Sequence, residues 1–200
     1  MNLLRLNVIP DHLQVHFANK LVAIAGELQV NPNWLMQVMW SESRLKAGAV
    51  NPISRATGLI QFMPTTAKSL GTSVEALRTM NAVQQLEFVR KYFLPYKGKL
   101  SSYYDVYSVV FFPAIIGKPD TWVLQTKRLS SGVIAKQNPV VNINKDGIIT
   151  VAEFKQYVHN SVLAAHREAI FGVVKKVATG AGVALGLLLL FFCSITTNIL

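Results

Sequence analysis

Apolar positions along the chain recur mostly at steps of three and four, which predicts a mainly helical protein. In residues 10–28, Leu13, Phe17, Leu21, Ile24 and Leu28 mark one face of an amphipathic helix. A second helix is predicted over 32–44, with Asn31 as its N-cap and Pro32 in its first position. Gly48 and Asn51-Pro52 then signal a loop. A short helix is expected to begin at Pro64 or Thr65 and end near Gly71. Val83, Leu86, Val89, Tyr92 and Phe93 predict another, stopped by Pro95. The apolar segment 105–117 reads as a buried helix kinked near Pro113, favoured over a short strand. A boundary is expected in the Ser-, Gly- and Asn-containing stretch around 130–139. Beyond it come an acidic loop and a helical pattern running to residue 176.

That helical pattern leads into a run of a different kind. The chain is 51% hydrophobic, and from Val177 to Leu200 it holds no charged residue. As a helix, Val177–Ile195 would extend about 28 Å, close to the thickness of a bilayer's hydrocarbon core. This predicts a C-terminal transmembrane anchor over 177–197. Lys175 and Lys176 precede it and no charge follows, so the positive-inside tendency places the N-terminal part on the cytoplasmic side. The first residues carry an apolar run too short for a cleaved signal. Cys193 is the only cysteine and lies within the expected span, so an internal disulfide is excluded.

Twenty basic residues stand against ten acidic ones, a formal net charge of +10. Such a balance favours anionic partners. The basic residues are scattered rather than run together, which predicts no dedicated nucleic-acid site. Scarce acids make the placement of each one informative. Glu42 follows Val38 and Met39 by four and three residues and so shares the helical face of Trp34, Leu35, Val38 and Met39. A carboxyl on an inward face loses hydration, which favours its protonated form and suits a general acid. The same spacing also allows a solvated Glu on the last turn, paired with Arg44 or Lys46.

Residues 51–67, NPISRATGLIQFMPTTA, combine features that core packing does not demand. Gly58 permits a tight backbone approach, Gln61 offers an amide donor and acceptor, and Phe62 and Met63 offer apolar walls. Glu42-Ser43 followed by SRATGLIQFMPTTA resembles the lytic transglycosylase and goose-type lysozyme family, in which a Glu-Ser pair precedes a Gly-Leu-x-Gln-x-Met-Pro segment. The likeness is nearest to phage-encoded members and extends over about residues 10–157, through NPNWLMQVMWSES, SLGTS, QQLEFVRKYFLPYKGK and DVYSVVFFPAIIGKPD.

The resemblance implies a lysozyme-like fold whose groove takes the glycan strands of peptidoglycan. Glu42 matches the family's catalytic acid. It would protonate the glycosidic oxygen between N-acetylmuramic acid and N-acetylglucosamine, then act as base while the sugar's own 6-hydroxyl attacks, giving a 1,6-anhydro product. An ordinary glycosidase uses two carboxylates. Glu75 and Glu87 read as helix-surface residues, Asp105 as an N-cap and Asp120 as a turn residue, so none is an evident partner for Glu42. Gln61 and Phe62 carry over as groove residues that bind substrate. Tyr107 matches the aromatic residue that the family places near the acid, though no asparagine follows it here, and core packing explains it equally well. Ser43 either orients Glu42 or caps the helix end.

Residues 142–153, NINKDGIITVAE, have the spacing of a twelve-residue EF-hand loop. Asn142, Asn144, Asp146, Ile148 (through its carbonyl), Thr150 and Glu153 fall at the ligand positions, and Gly147 at the sharp turn. Two carboxylates among them predict at most a weak structural Ca2+, and a metal-free turn satisfies the same pattern. No cofactor is expected for catalysis. The chain therefore reads as mainly α: a lysozyme-like catalytic domain over 1–130, an EF-hand-like loop segment over 131–157, a helical stem over 158–176 and the transmembrane helix. The expected partners are peptidoglycan glycan strands, a lipid membrane, of a virion or of the host cell, and other virion proteins. The competing readings are a hydrolytic lysozyme of the same fold and a non-catalytic structural membrane protein of a virion.

Overall fold

The computed structural model describes residues 2–172. The anchor expected over 177–197 lies outside them, and no helix among the described residues is long and apolar enough to cross a membrane. The architecture is helical: α1 (Asp11–Leu28), α2 (Pro32–Ser43), α3 (Pro64–Ser69), α4 (Val74–Thr79), α5 (Ala82–Phe93), α6 (Tyr103–Phe111), α7 (Ser131–Gln137), α8 (Val151–Ser161) and α9 (Arg167–Phe171). Extended pairing among the described residues is confined to isolated bridges, at Val50–Thr57, Thr57–Phe62 and Val123–Thr150.

The cap chemistry sets the helix starts. Asn31 accepts a hydrogen bond from Asn33 N at 2.9 Å, and Pro32 opens α2. Asn81 with Gln84, Ser102 with Asp105, and Thr150 with Glu153 form capping boxes on α5, α6 and α8. Asp105 is thus the third residue of α6 rather than its expected N-cap. Its carboxylate accepts from the backbone and hydroxyl of both Ser101 and Ser102. The capping oxygen comes from Ser102, three residues earlier.

α2 lies at the centre. Leu35, Met36, Val38 and Met39 are each 1% exposed or less, and the polar Gln37 is as buried as they are. The helix is therefore covered on several sides rather than along one stripe. α1 and α6 pack on it, as does the C-terminal α9. The first residues close another side: Leu4 N donates to Asn33 Oδ1 at 2.8 Å, and Leu3 and Ile9 enter the core.

Two expectations of organisation are corrected. The boundary expected around 130–139 falls on a helix, α7, whose Ile134 and Ala135 are buried. Nor does the chain continue as one helical stem after 158. α8 ends at Ser161, Val162 is extended and buried, and the chain turns through a single 3-10 turn into α9. Apolar contact explains the break. A straight helix would carry Ile170 and Phe171 away from the domain, whereas the turn buries Ile170 and stacks Phe171 on Tyr104 and His159. Trp34 Nε1 fixes the segment by donating to Ile170 O at 2.7 Å. Val141, Ile149, Phe154 and Val158 join the same core as α1 and α2, so the three expected segments share one interior.

Candidate active site

Glu42 occupies the last turn of α2, which ends when Arg44 and Leu45 take left-handed backbone conformations. The side chain keeps limited contact with solvent but lies deep among protein atoms. Loss of hydration pushes its carboxyl up to about 8. Two weaker influences oppose this: a hydrogen bond with the Tyr107 hydroxyl and the charge of Arg44. No other carboxylate is among the groups that act on it.

Tyrosines surround this carboxyl. Tyr107 is held in α6 by a stack of rings, with Phe111 and Phe154 at 6.5 and 6.2 Å and Tyr103 at 6.0 Å. It is 2% exposed, so it is at once a core residue and the hydrogen-bond partner of Glu42. Burial, and then the negative charge of Glu42, raise Tyr107 well above the ordinary phenol range. Tyr103 and Tyr157 are raised chiefly by burial, with Glu42 contributing. Tyr92 is raised by burial, then by Tyr96 and Glu42. All four therefore remain neutral hydroxyls beside a single carboxyl. Tyr92, Tyr103 and Tyr157 escape sequence reading. Tyr157 arrives from α8, more than a hundred residues downstream of Glu42, and nothing local to it signals the approach.

The loop after α2 brings the second motif alongside. Thr57 and Phe62 exchange backbone hydrogen bonds at 3.0 and 2.9 Å, and Gly58 N donates to Ala49 O at 2.8 Å. Within this tight turn Gln61 adopts a left-handed conformation. Its Nε2 donates to Gly58 O at 3.1 Å, which leaves the amide oxygen as the group it can offer a ligand. Phe62 is 2% exposed and meets Tyr92 edge-on, so it backs the cleft from within rather than forming an open wall. Gln61, Phe62, Met63, Thr66, Tyr92 and Val110 are among the residues lining a small cleft here.

Ser43, expected to orient Glu42 or to cap the helix end, is turned into the protein. It is 6% exposed, and its hydroxyl is shared between Leu59 O at 2.9 Å and Met39 O at 3.1 Å. It pins the 57–62 loop to the end of α2 and so acts on the site through the backbone. A buried Gln85 reinforces the join. Its Oε1 accepts from Leu59 N at 2.8 Å, and its Nε2 donates to Ala47 O and Leu77 O, both at 2.7 Å. Sequence reading missed Gln85 because it sits in a helical repeat among ordinary helix formers.

The acidic loop lies apart from these groups. Gly147 takes the left-handed turn expected of it, and the loop backbone is paired to the 122–124 segment through Leu124 N to Ile149 O at 2.8 Å and Val151 N to Trp122 O at 2.9 Å. Asn142 Oδ1 is buried without a hydrogen-bond partner, which taken alone would suit a cation. The remaining donors argue otherwise. Glu153 Oε1 accepts from Ile143 N and Asn144 N, and Oε2 from Thr150 N and Oγ1. Asp146 is engaged with Asn144 and Ile148 N. N–H groups aimed at both carboxylates repel a cation, so the residues fit a hydrogen-bonded turn rather than a Ca2+ cage. Glu153→Ala is expected to lower stability by about 2 kcal/mol, measured by urea unfolding, and equally with calcium or with chelator. A loss seen only with calcium would reverse this reading.

Residues 22–87 match the family described as the transglycosylase SLT domain. That span runs from α1 to α5 and contains Glu42, Ser43, Gln61 and Phe62, but not Tyr107 or Tyr157. Over those residues the chain is similar to the lytic transglycosylase family. The match points to an enzyme of the lytic transglycosylase type that acts on peptidoglycan. No curated protein and no solved structure matches it.

Proposed function

We propose that this protein is a membrane-anchored lytic transglycosylase that cuts the MurNAc–GlcNAc bond of peptidoglycan with Glu42 as acid and then base. The observation that carries the reading is a single deeply set carboxyl, raised to about 8, with no carboxylate partner and a tyrosine hydroxyl bonded to it. At neutral pH Glu42 is protonated and able to deliver its proton to the leaving glycosidic oxygen. The carboxylate so formed is steadied by the Tyr107 hydroxyl and the Arg44 charge. It then takes the proton of the muramoyl 6-hydroxyl as that oxygen closes on C1. A two-carboxylate hydrolase would need a second acid at this site, and no other carboxylate acts on Glu42.

The test is digestion of purified peptidoglycan by the full chain in detergent, with mass analysis of the products. Anhydro ends support the transglycosylase, and reducing ends would make it a lysozyme. Products no different from those of Glu42→Gln would leave only a structural role.

Tyr107→Phe probes the second half of the cycle. Its hydroxyl holds Glu42 lower than burial alone would, so its loss raises the carboxyl further. The alkaline limb of kcat/KM is expected to move above pH 8, with a rate loss of about tenfold to a hundredfold. An unmoved limb would remove Tyr107 from the mechanism.

The uncharged run after Lys176 supports anchoring, and the two lysines before it support a catalytic domain on the cytoplasmic side. Peptidoglycan lies on the other side of that membrane. A phage virion with an internal membrane would reconcile the two by delivering the enzyme to the wall on infection. Protease protection of the domain in sealed vesicles is the expected result. Ready cleavage from outside would sink the arrangement.

A further inference from the structure

Beside Glu42 stands a pair of cations, of which the cleavage step uses only the charge of Arg44. Arg5 and Arg44 both lie over the indole of Trp40, their guanidinium carbons 4.4 and 5.1 Å from its ring. Two arginines are thus brought to one side chain, two residues before the catalytic acid. Among the described residues neither forms an ion pair, because the acids that pair with bases do so with Arg55, Arg90 and Lys155. Arg5 Nη1 donates to Gln37 Oε1 at 2.7 Å, whereas its Nη2 is buried with no partner. Arg44 Nη1 is turned back to Trp40 O at 3.0 Å.

This arrangement is costly as it stands. Burial and the neighbouring Arg44 charge lower Arg5 to about 10, so its cationic form is disfavoured where it sits. Arg5 and Arg44 both occupy left-handed backbone positions, at φ 59° and 56°, where glycine would be less strained. His166, half-buried, adds another unpartnered nitrogen, Nδ1, and lies near enough to Arg5 to feel its charge. Uncompensated guanidinium groups on an aromatic platform are matched by a planar carboxylate, which guanidinium binds in a fork.

We propose that Arg5 and Arg44, held on Trp40, form a subsite for a carboxylate carried on the muramoyl side of the substrate, specifically one of the peptide stem. The proposal rests on the peptidoglycan reading above. It assigns a binding role to Arg5, which lies outside the span matched to the SLT domain. Proximity to Glu42, which feels the Arg44 charge, favours the glycan's own substituent over a lipid headgroup as the anion.

The test is a binding cycle in the full chain carrying Glu42→Gln, in detergent, by calorimetry. The probes are GlcNAc-MurNAc-tetrapeptide, its counterpart with the peptide carboxylates amidated, and the disaccharide with a free lactyl carboxylate. Amidation is expected to weaken binding about tenfold when Arg5 and Arg44 are present. That difference should disappear in Arg5→Gln and in Arg44→Gln. Arg5→Lys, which keeps the charge but not the fork, should keep only part of it. Equal weakening by amidation in all variants overturns the subsite, as does failure of the tetrapeptide probe to bind. A response to the lactyl carboxylate instead would overturn the peptide assignment, and arginine-dependent binding to phosphatidylglycerol vesicles alone would give the cluster to the membrane. Thermal melts of each variant separate misfolding from lost contact. Anhydro products from the wild type with an additive cycle would refute the subsite alone, whereas absent products would refute the catalytic reading.

Discussion

Glu42→Gln is expected to reduce cleavage roughly 10^3-fold or more and, in the same protein, to make the fold more stable. The two effects have one cause. Glutamine keeps the shape of the protonated acid but has no proton to give, so the first step fails. The stability effect follows from linkage. In the unfolded chain the carboxyl titrates near 4.5, and in the native site near 8. Between these values the native state binds a proton that the unfolded state has already lost, so wild-type stability falls as pH rises. The slope contributed by this one group is at most about 1.4 kcal/mol per pH unit. Below pH 4.5 both forms are neutral in both states, and wild type and variant should melt alike. Through pH 5 to 8 the variant should gain steadily on the wild type, and above 8 the gap should level off. Thermal melts across that range check the prediction. Parallel profiles would mean that Glu42 is not held protonated, and the acid role would lose its basis.

What could be seen of this site before the structure depended on how local its causes are. Asn31-Pro32 announces the start of α2, because a cap is written within three residues. Glu42 could be placed on an inward face because Val38 and Met39 are its own helical neighbours. The turn around Gly58 and Gln61 was legible in its residue types, but its fastening was not. Ser43 and Gln85 each form hydrogen bonds to backbone atoms that only the fold brings near. The tyrosine ring around the acid is assembled from α5, α6 and α8, and no periodicity within one segment encodes it. The break after Ser161 was missed for a related reason. Residues 158–171 have acceptable helical composition, and only the aromatic shelf of Tyr103, Tyr104 and His159 pulls the chain back. In the acidic loop, spacing alone leaves a cation loop and a metal-free turn both open. Its spacing is that of a cation loop, yet its carboxylates are occupied by N–H groups within the turn.

The largest loss of stability is expected from the joint that holds the two motifs together. Gly58 has φ +86°, and a Cβ built there would stand 2.5 Å from Gln85 Oε1. Ordinarily the end of a glutamine side chain gives way cheaply. Here it is fully buried and fixed by three hydrogen bonds, to Leu59 N, Ala47 O and Leu77 O. Gly58→Ala must therefore either strain the backbone or expel Gln85, and a cost of about 2–4 kcal/mol is expected. Gln85→Ala leaves one buried donor and two acceptors without partners, for a similar loss of roughly 3–5 kcal/mol. Their coupling distinguishes this account from a general loss of packing. In Gly58→Ala with Gln85→Ala the added methyl no longer meets the amide, so the double variant should lose clearly less than the sum of the two single ones. Urea unfolding of the four proteins measures that difference. Additive losses would mean that Gly58 and Gln85 act independently. Then Gln61 would owe its place to the turn alone, not to the anchor beneath it.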